Sequence, residues 1–246
     1  MAGRIFVGIG GWTYEPWRGA FYPEGLARKR ELEFASRRLT SLEINGTFYS
    51  TFKPESWARW REETPDGFVF AIKGSRFCTN RKALGTAGES VAKFVGQGLS
   101  ELKDRLGPIN WQLAPAKKFD PEDVDAFLAL LPREVKGIPL RHAIEVRHDS
   151  FKDPRFTDLA RKHKVAIVYA SDETYPEIDE PTSDFTYARL MGTREDVETG
   201  YAPADLDRWA GQAKSWSERG DAFVYFISGA KVRAPAAAQA LIAKLT

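Results

Sequence analysis

Several segments of this chain put charged or amide side chains where a strand would bury apolar ones. Glu43 and Asn45 alternate with Leu42 and Ile44, and Lys73 follows Phe70 and Ile72 at the same spacing. Asn110 and Gln112 share a spacing of two, as do Glu145 and Arg147, and Tyr187 and Arg189. In an extended chain alternate side chains share a face, so these polar groups point one way while Ile144, Val146, Ala188 and Leu190 point the other. Paired carboxylates can divide acid and base roles when nearby charge keeps one ionised and dryness lets the other hold a proton. Glu43 and Glu145 are therefore expected to handle protons, whichever lies near Arg147 staying ionised. The cations Lys73, Arg147 and Arg189 outnumber these two carboxylates, and an interior charge without a partner is costly. The surplus implies an anionic guest, with Asn45 and Gln112 beside it. A self-satisfied ion-pair network filling the interior is the competing reading.

Other chemistry is sparse. His148 follows Arg147 and is a candidate general base or ligand; a hydrogen-bonded structural histidine is the alternative. Three scattered histidines, His142, His148 and His163, cannot build a multi-histidine zinc cluster unaided. No cofactor is expected, although Glu43, Glu145 and Asp172 leave room for a divalent ion. No phosphate-binding P-loop or nucleophile elbow occurs, and the GIGG at 8–11 lacks dinucleotide-fingerprint spacing.

The elements that must position these groups alternate along the chain. Strands are expected over 4–9, 40–45, 67–73, 108–113, 141–147, 164–170, 185–190 and 221–227. Helix signals fill most gaps. Val91, Phe94, Val95, Leu99, Leu102 and Leu106 follow the helical period over 88–106. Asp120-Pro121 and Asp153-Pro154 each pair an N-cap with a proline at the first helical position, and Pro54, Pro203 and Pro235 open three more helices. Trp57 and Trp60 read as core. The segment DETYPEIDEPTSD has two prolines and no apolar period, so an irregular loop replaces the helix between strands six and seven. Eight strands alternating with helices in 246 residues imply one (β/α)8 TIM-type barrel domain over 1–246, with an open doubly wound sheet as the alternative. In a barrel the polar face turns to the axis, and Gly8 and Gly10 of strand one leave room there.

The polar residues cluster toward the strand ends, where barrel enzymes keep their sites. Two late loops, Met191-Gly192-Thr193-Arg194 and Ser228-Gly229-Ala230-Lys231, sit where barrels often hold phosphate through backbone N–H groups. Gly192, Thr193, Ser228 and Gly229 are thus candidate contacts, against a plain-turn reading. Trp12, Tyr14, Trp17, Phe48, Tyr49 and Trp111 follow or lie within the early strands, suited to stacking on a sugar or base, or to closing the barrel mouth.

With 36 basic against 34 acidic residues, the net charge of +2 weighs against nucleic acid as a partner. The single cysteine, Cys78, points to a reducing compartment. The short, glycine-interrupted start MAGRIFVGIGGW does not read as a signal peptide, and no apolar run suits a membrane span. A cytoplasmic protein with no membrane association is expected; the oligomeric state is left open.

The blocks GGWTYEPWRGAFYP (10–23), SLEINGTFYS (41–50), FVFAIKGSRFCT (68–79), GPINWQLAP (107–115), AIEVRHDSF (143–151) and YARLMG (187–192) resemble the YecE-like proteins, domain-of-unknown-function family seventy-two. The resemblance runs in order over most of the chain. It implies a TIM-type barrel and no settled reaction. The sequence departs from that family's pattern at Asn80, Met191, Ile227 and Ser228, where the pattern has histidine, histidine and an amide pair. The resulting expectation is an enzyme, a hydrolase, isomerase or lyase, acting on a small phosphorylated or acidic substrate. A nucleic-acid-binding or -processing barrel and a non-catalytic ligand-binding protein are the alternatives.

Overall fold

The computed structural model describes residues 2–246. Eight parallel strands form a ring: strand one (Ile5–Gly10), two (Ser41–Ile44), three (Val69–Lys73), four (Leu106–Gln112), five (His142–Glu145), six (Ala166–Ile167 and Tyr169–Ser171), seven (Phe185–Leu190) and eight (Asp221–Phe226). Neighbours in sequence pair in space, and strand one closes onto strand eight with Ile5 opposite Ala222. Strand six completes the circle by changing partners: Ala166 and Ile167 pair with strand five, and Tyr169 to Ser171 pair with strand seven. The fold is thus the expected (β/α)8 barrel, with residues 172–184 running as a loop between strands six and seven.

The helices begin where the N-terminal signals place them. Asp120 accepts the backbone N–H groups of Glu122 and Asp123 at the start of the helix Pro121–Ala129. Asp153 does the same for Arg155 at Pro154–Lys162. Both satisfy N–H groups that lack partners in a first helical turn. One expectation changes, and one element is additional. The helix over 88–106 is broken into Gly88–Val95 and tighter turns within Leu99–Arg105: Gly98 takes a positive φ of 127° between them, and Lys103, at φ 50°, interrupts the second stretch. A short antiparallel hairpin, Glu134–Val135 with Ile138–Pro139, precedes strand five; Lys136 and Gly137 both adopt positive φ at its tip, as a tight hairpin turn requires. Among the described residues no helix is long and apolar enough to cross a membrane.

The alternation of each strand divides the core in two. Ile9, Leu42, Ile44, Ile72, Ile144, Ala188 and Leu190 pack against the helices. Inside the ring the N-terminal end is an aromatic plug: Phe6 stacks on Phe223 at 4.8 Å, and Phe185 meets Phe223 edge-on. Above it the interior turns polar. The Ser41 hydroxyl donates to the Val69 carbonyl at 2.6 Å and lies 2.7 Å from the Tyr225 hydroxyl. Gly8 makes this level fit, since a Cβ there would lie 2.1 Å from the Ser41 carbonyl oxygen and 3.3 Å from the Tyr225 ring. The obstruction is backbone and cannot swing aside. Gly8→Ala is therefore expected to lower stability by about 3 kcal/mol, the upper end for overpacking. Urea unfolding measures this; a loss below about 1 kcal/mol would show that strands one and two part easily.

Candidate functional site

The polar residues of strands two, three, four, five and seven meet where those strands end. Arg189 is the hub, only 2% exposed. Its guanidinium donates to Glu145 Oε2 at 2.5 Å, Glu43 Oε1 at 3.1 Å and Gln112 Oε1 at 3.3 Å. Glu43 also accepts from the Tyr187 hydroxyl. Glu145 also accepts from Arg147 Nε at 2.9 Å and from the Asn110 amide at 3.2 Å. Both carboxylates are fully buried, which such dense pairing permits. Burial alone would raise the Glu145 carboxyl, but Arg189, Arg147 and Lys73 overcome it and hold the group at about 2. Burial and the Glu43 charge push the Tyr187 phenol well above its ordinary value. The inner half of the constellation is thus an ion-pair network of the kind that braces a barrel.

The outer half faces a cavity of about 670 Å³, within the usual range for small-molecule sites. Trp12, Asn45, Tyr49, Lys73, Gln112, Arg147, Arg189, Ser228 and Lys231 are among its lining residues. Four of the lining side chains are cations, and among the described residues no aspartate or glutamate lines it. Lys73 has no carboxylate within ion-pair distance among the described residues; its ammonium lies 4.6 Å from the Phe48 ring centroid. Burial and then the Arg189 charge bring Lys73 down to about 8, against the opposing pull of Glu43 and Glu145. Lys231 lies over the rings of Tyr14 and Trp17, at 4.3 and 5.5 Å, and burial lowers it too. Arg147 stacks on Tyr175, 4.4 Å from the ring centroid.

The remaining predicted site residues lie elsewhere. His148 caps the turn Asp149–Phe151, its Nδ1 accepting the Ser150 N–H at 3.1 Å, and does not line the cavity. Gly192, Thr193 and Gly229 are also outside it, because the two late loops are knitted to each other. The Gly192 N–H donates to the Tyr201 hydroxyl and the Ala230 N–H to the Thr193 carbonyl, while the Thr193 hydroxyl reaches the Ser228 and Ala230 carbonyls. Of those four loop residues only Ser228 faces the cavity, beside Ile227. Trp111 is buried in the helix layer and donates to His142 Nδ1 at 3.1 Å. Asp172 accepts the Thr174 N–H rather than joining Glu43 and Glu145. Among the described residues no group of three or more His, Cys, Asp or Glu is placed to hold a metal ion. Burial pushes the Cys78 thiol up to about 12. Lys231, which lines the cavity, and Tyr175, which is outside its lining and stacks on Arg147, were not singled out from sequence. Lys231 sits in a loop whose Ser-Gly composition points to backbone N–H chemistry and not to its side chain. Tyr175 braces Arg147 from a loop without periodicity, and nothing in the sequence marks it.

Residues 6–246 match the family described as protein of unknown function DUF72. The UPF0759 protein YecE of Escherichia coli strain K12 is 32% identical over 150 residues, 60% of this chain and 50% of that protein. The UPF0759 protein YunF of Bacillus subtilis strain 168 is 24% identical over 157 residues, 62% of this chain and 54% of that protein. The chain spans about half the length of the curated relatives it matches. A DUF72 family protein from Thermotoga maritima, known from its crystal structure, aligns with a TM-score of 0.77 at 22% identity over 97% of each chain. That likeness shows the same fold. Because the family match runs from strand one to the last helix and takes in every residue that builds the cavity, the chain belongs to the DUF72 family.

Proposed function

We propose that the chain is an enzyme that binds a small anionic substrate, phosphorylated or acidic, at the C-terminal end of the strands. One observation carries this reading: the cavity presents Lys73, Arg147, Arg189 and Lys231 and no carboxylate, while Glu43 and Glu145 are spent on Arg189 and Arg147 beneath it. An anion would supply the missing charge, held by Arg147 and Lys73 with Gln112 and Asn45 at its side. Glu145 is the carboxylate expected to stay ionised beside Arg147, and Lys73 joins the candidates for proton handling. Glu145, held at about 2, stays ionised near neutrality and acts through its charge, whereas Lys73, near 8, is poised to exchange a proton.

The test is thermal unfolding with inorganic phosphate, sugar phosphates and sugar acids. An anion at about a hundredfold its Kd should stabilise by ~2.7 kcal/mol, a rise in Tm of several degrees for a domain of this size. The effect should fade at alkaline pH. Lys73 is charged below about 8 and neutral above it, and a bound anion raises that midpoint, so affinity is lost as pH climbs past 8. No stabilisation by any anion overturns the reading.

A second reading, a nucleic-acid-binding barrel, draws on one feature. Tyr49 and Phe77 are 63% and 62% exposed beside the mouth, with the Arg76 guanidinium 5.7 and 5.4 Å from their rings. Such a platform suits stacked bases. Stabilisation by short oligonucleotides but not by phosphate would favour it.

A further inference from the structure

We infer that the Lys73 amine captures a carbonyl carbon of the bound anion as a Schiff base, making the substrate class a small aldehyde or ketone that carries phosphate or carboxylate. The inference rests on the anion-binding reading and adds the bond that forms. Lys73 ends strand three with its side chain in the cavity, among Asn45, Gln112, Arg147 and Arg189. Its surroundings leave the nitrogen free. Glu43 is taken by Tyr187 and Arg189, and Glu145 by Arg189, Arg147 and Asn110. Among the described residues no oxygen accepts a hydrogen bond from Nζ; its neighbour is the face of Phe48. A lysine that braced the barrel would end on a carboxylate, as Arg189 does. A lysine that only held an anion would do so best when fully charged, yet burial and Arg189 bring Lys73 to about 8. Before an anion binds, about a tenth of the amine is then neutral at pH 7 and able to attack carbon, a share that a bound anion reduces. Lys231, the other cavity lysine, lies instead against the rings of Tyr14 and Trp17.

In the step itself the nitrogen lone pair forms the new C–N bond while the carbonyl π pair moves to oxygen. The two amine hydrogens leave with that oxygen as water, so amine and carbonyl give imine and water with no change of oxidation state. Once protonated, the imine withdraws electrons from the adjacent carbon and eases breakage of a bond there. Arg147 holds the anionic end.

Pyridoxal 5′-phosphate joins an aldehyde to a phosphate on one small ring; pyridoxal carries the aldehyde alone. Each is incubated with the wild type, with and without inorganic phosphate, and reduced with borohydride, which adds hydride to the imine carbon and fixes it as a secondary amine. Peptide mass mapping then locates the label. The expected result is labelling of Lys73 on the order of tenfold faster than any other lysine, faster with the phosphorylated aldehyde, and slowed by phosphate. Lys73→Arg removes the primary amine, so the fast label should be lost; a fast label that persists in this variant overturns the inference. Labels scattered over other lysines with Lys73 unmodified, while phosphate still raises Tm, overturn the Schiff base and leave anion binding standing. Equal labelling of Lys73 by both aldehydes, without protection by phosphate, keeps the imine chemistry and overturns the anion reading.

Discussion

Arg189→Met is expected to lower folding stability by about 3–5 kcal/mol, the range for removing one partner of a buried ion pair. Arg189 is only 2% exposed and contacts two carboxylates that are both 0% exposed. Glu145 would keep Arg147, but Glu43 would keep only the Tyr187 hydroxyl. A methionine fills much of the same volume, so the loss reports charge rather than a hole. Adding Glu43→Gln should recover part of it, because the stranded charge goes with it; urea unfolding of the single and double variants measures both. The acid limb should move as well. Glu145 is held at about 2, below its ordinary value of 4.5, so its contribution is full above 4.5 and lost as pH falls toward 2. Without Arg189 that depression shrinks, and acid unfolding begins at higher pH. A loss under about 1 kcal/mol would show that water screens the carboxylates as it does at a surface.

Lys73→Met should act with opposite signs on stability and on binding. Folding lowers the ammonium from 10.5 to about 8, so at neutral pH the folded state works against this charge. Removing it should leave stability unchanged or raised. Phosphate affinity should fall about 10- to 100-fold, the equivalent of one charge-assisted hydrogen bond of about 1.5–3 kcal/mol. Binding calorimetry and urea unfolding separate the two. The alkaline fading of affinity should also be blunted in this variant. A protein that loses stability yet binds phosphate as before would make Lys73 a structural strut.

The barrel was legible because strand alternation is a strong signal. Glu43, Glu145 and Arg189 each sit one residue away from an apolar side chain that the helices cover, so their inward direction follows from period two alone. What alternation does not carry is distance along the axis. It put Arg189 and Lys73 on one face without revealing that Arg189 lies lower, clasped by both carboxylates, while Lys73 looks into the cavity. Network and binding site therefore stood as rivals in the sequence, whereas in the structure the network underlies a cavity. Loops were legible in kind and not in contact. Gly192-Thr193 and Ser228-Gly229 lie in loops as their composition implies, but which groups they spend on each other depends on a pairing between loops about 35 residues apart. The 88–106 segment misled because its apolar spacing is the same for a straight helix and for two turns folded over Gly98.

Strand six, which joins its two neighbours through different halves, gives the ring a weakest link. Each half carries only a short stretch of pairing, and the 13 residues that follow, 172–184, bring no helix to clamp it. Partial opening should start at this seam, where little cooperative structure must be broken. The segment released carries Tyr175, and with it the brace on Arg147. Slow amide exchange elsewhere in the barrel and fast exchange here would amount to a hinge on one side of the cavity, with the Lys73 side held rigid.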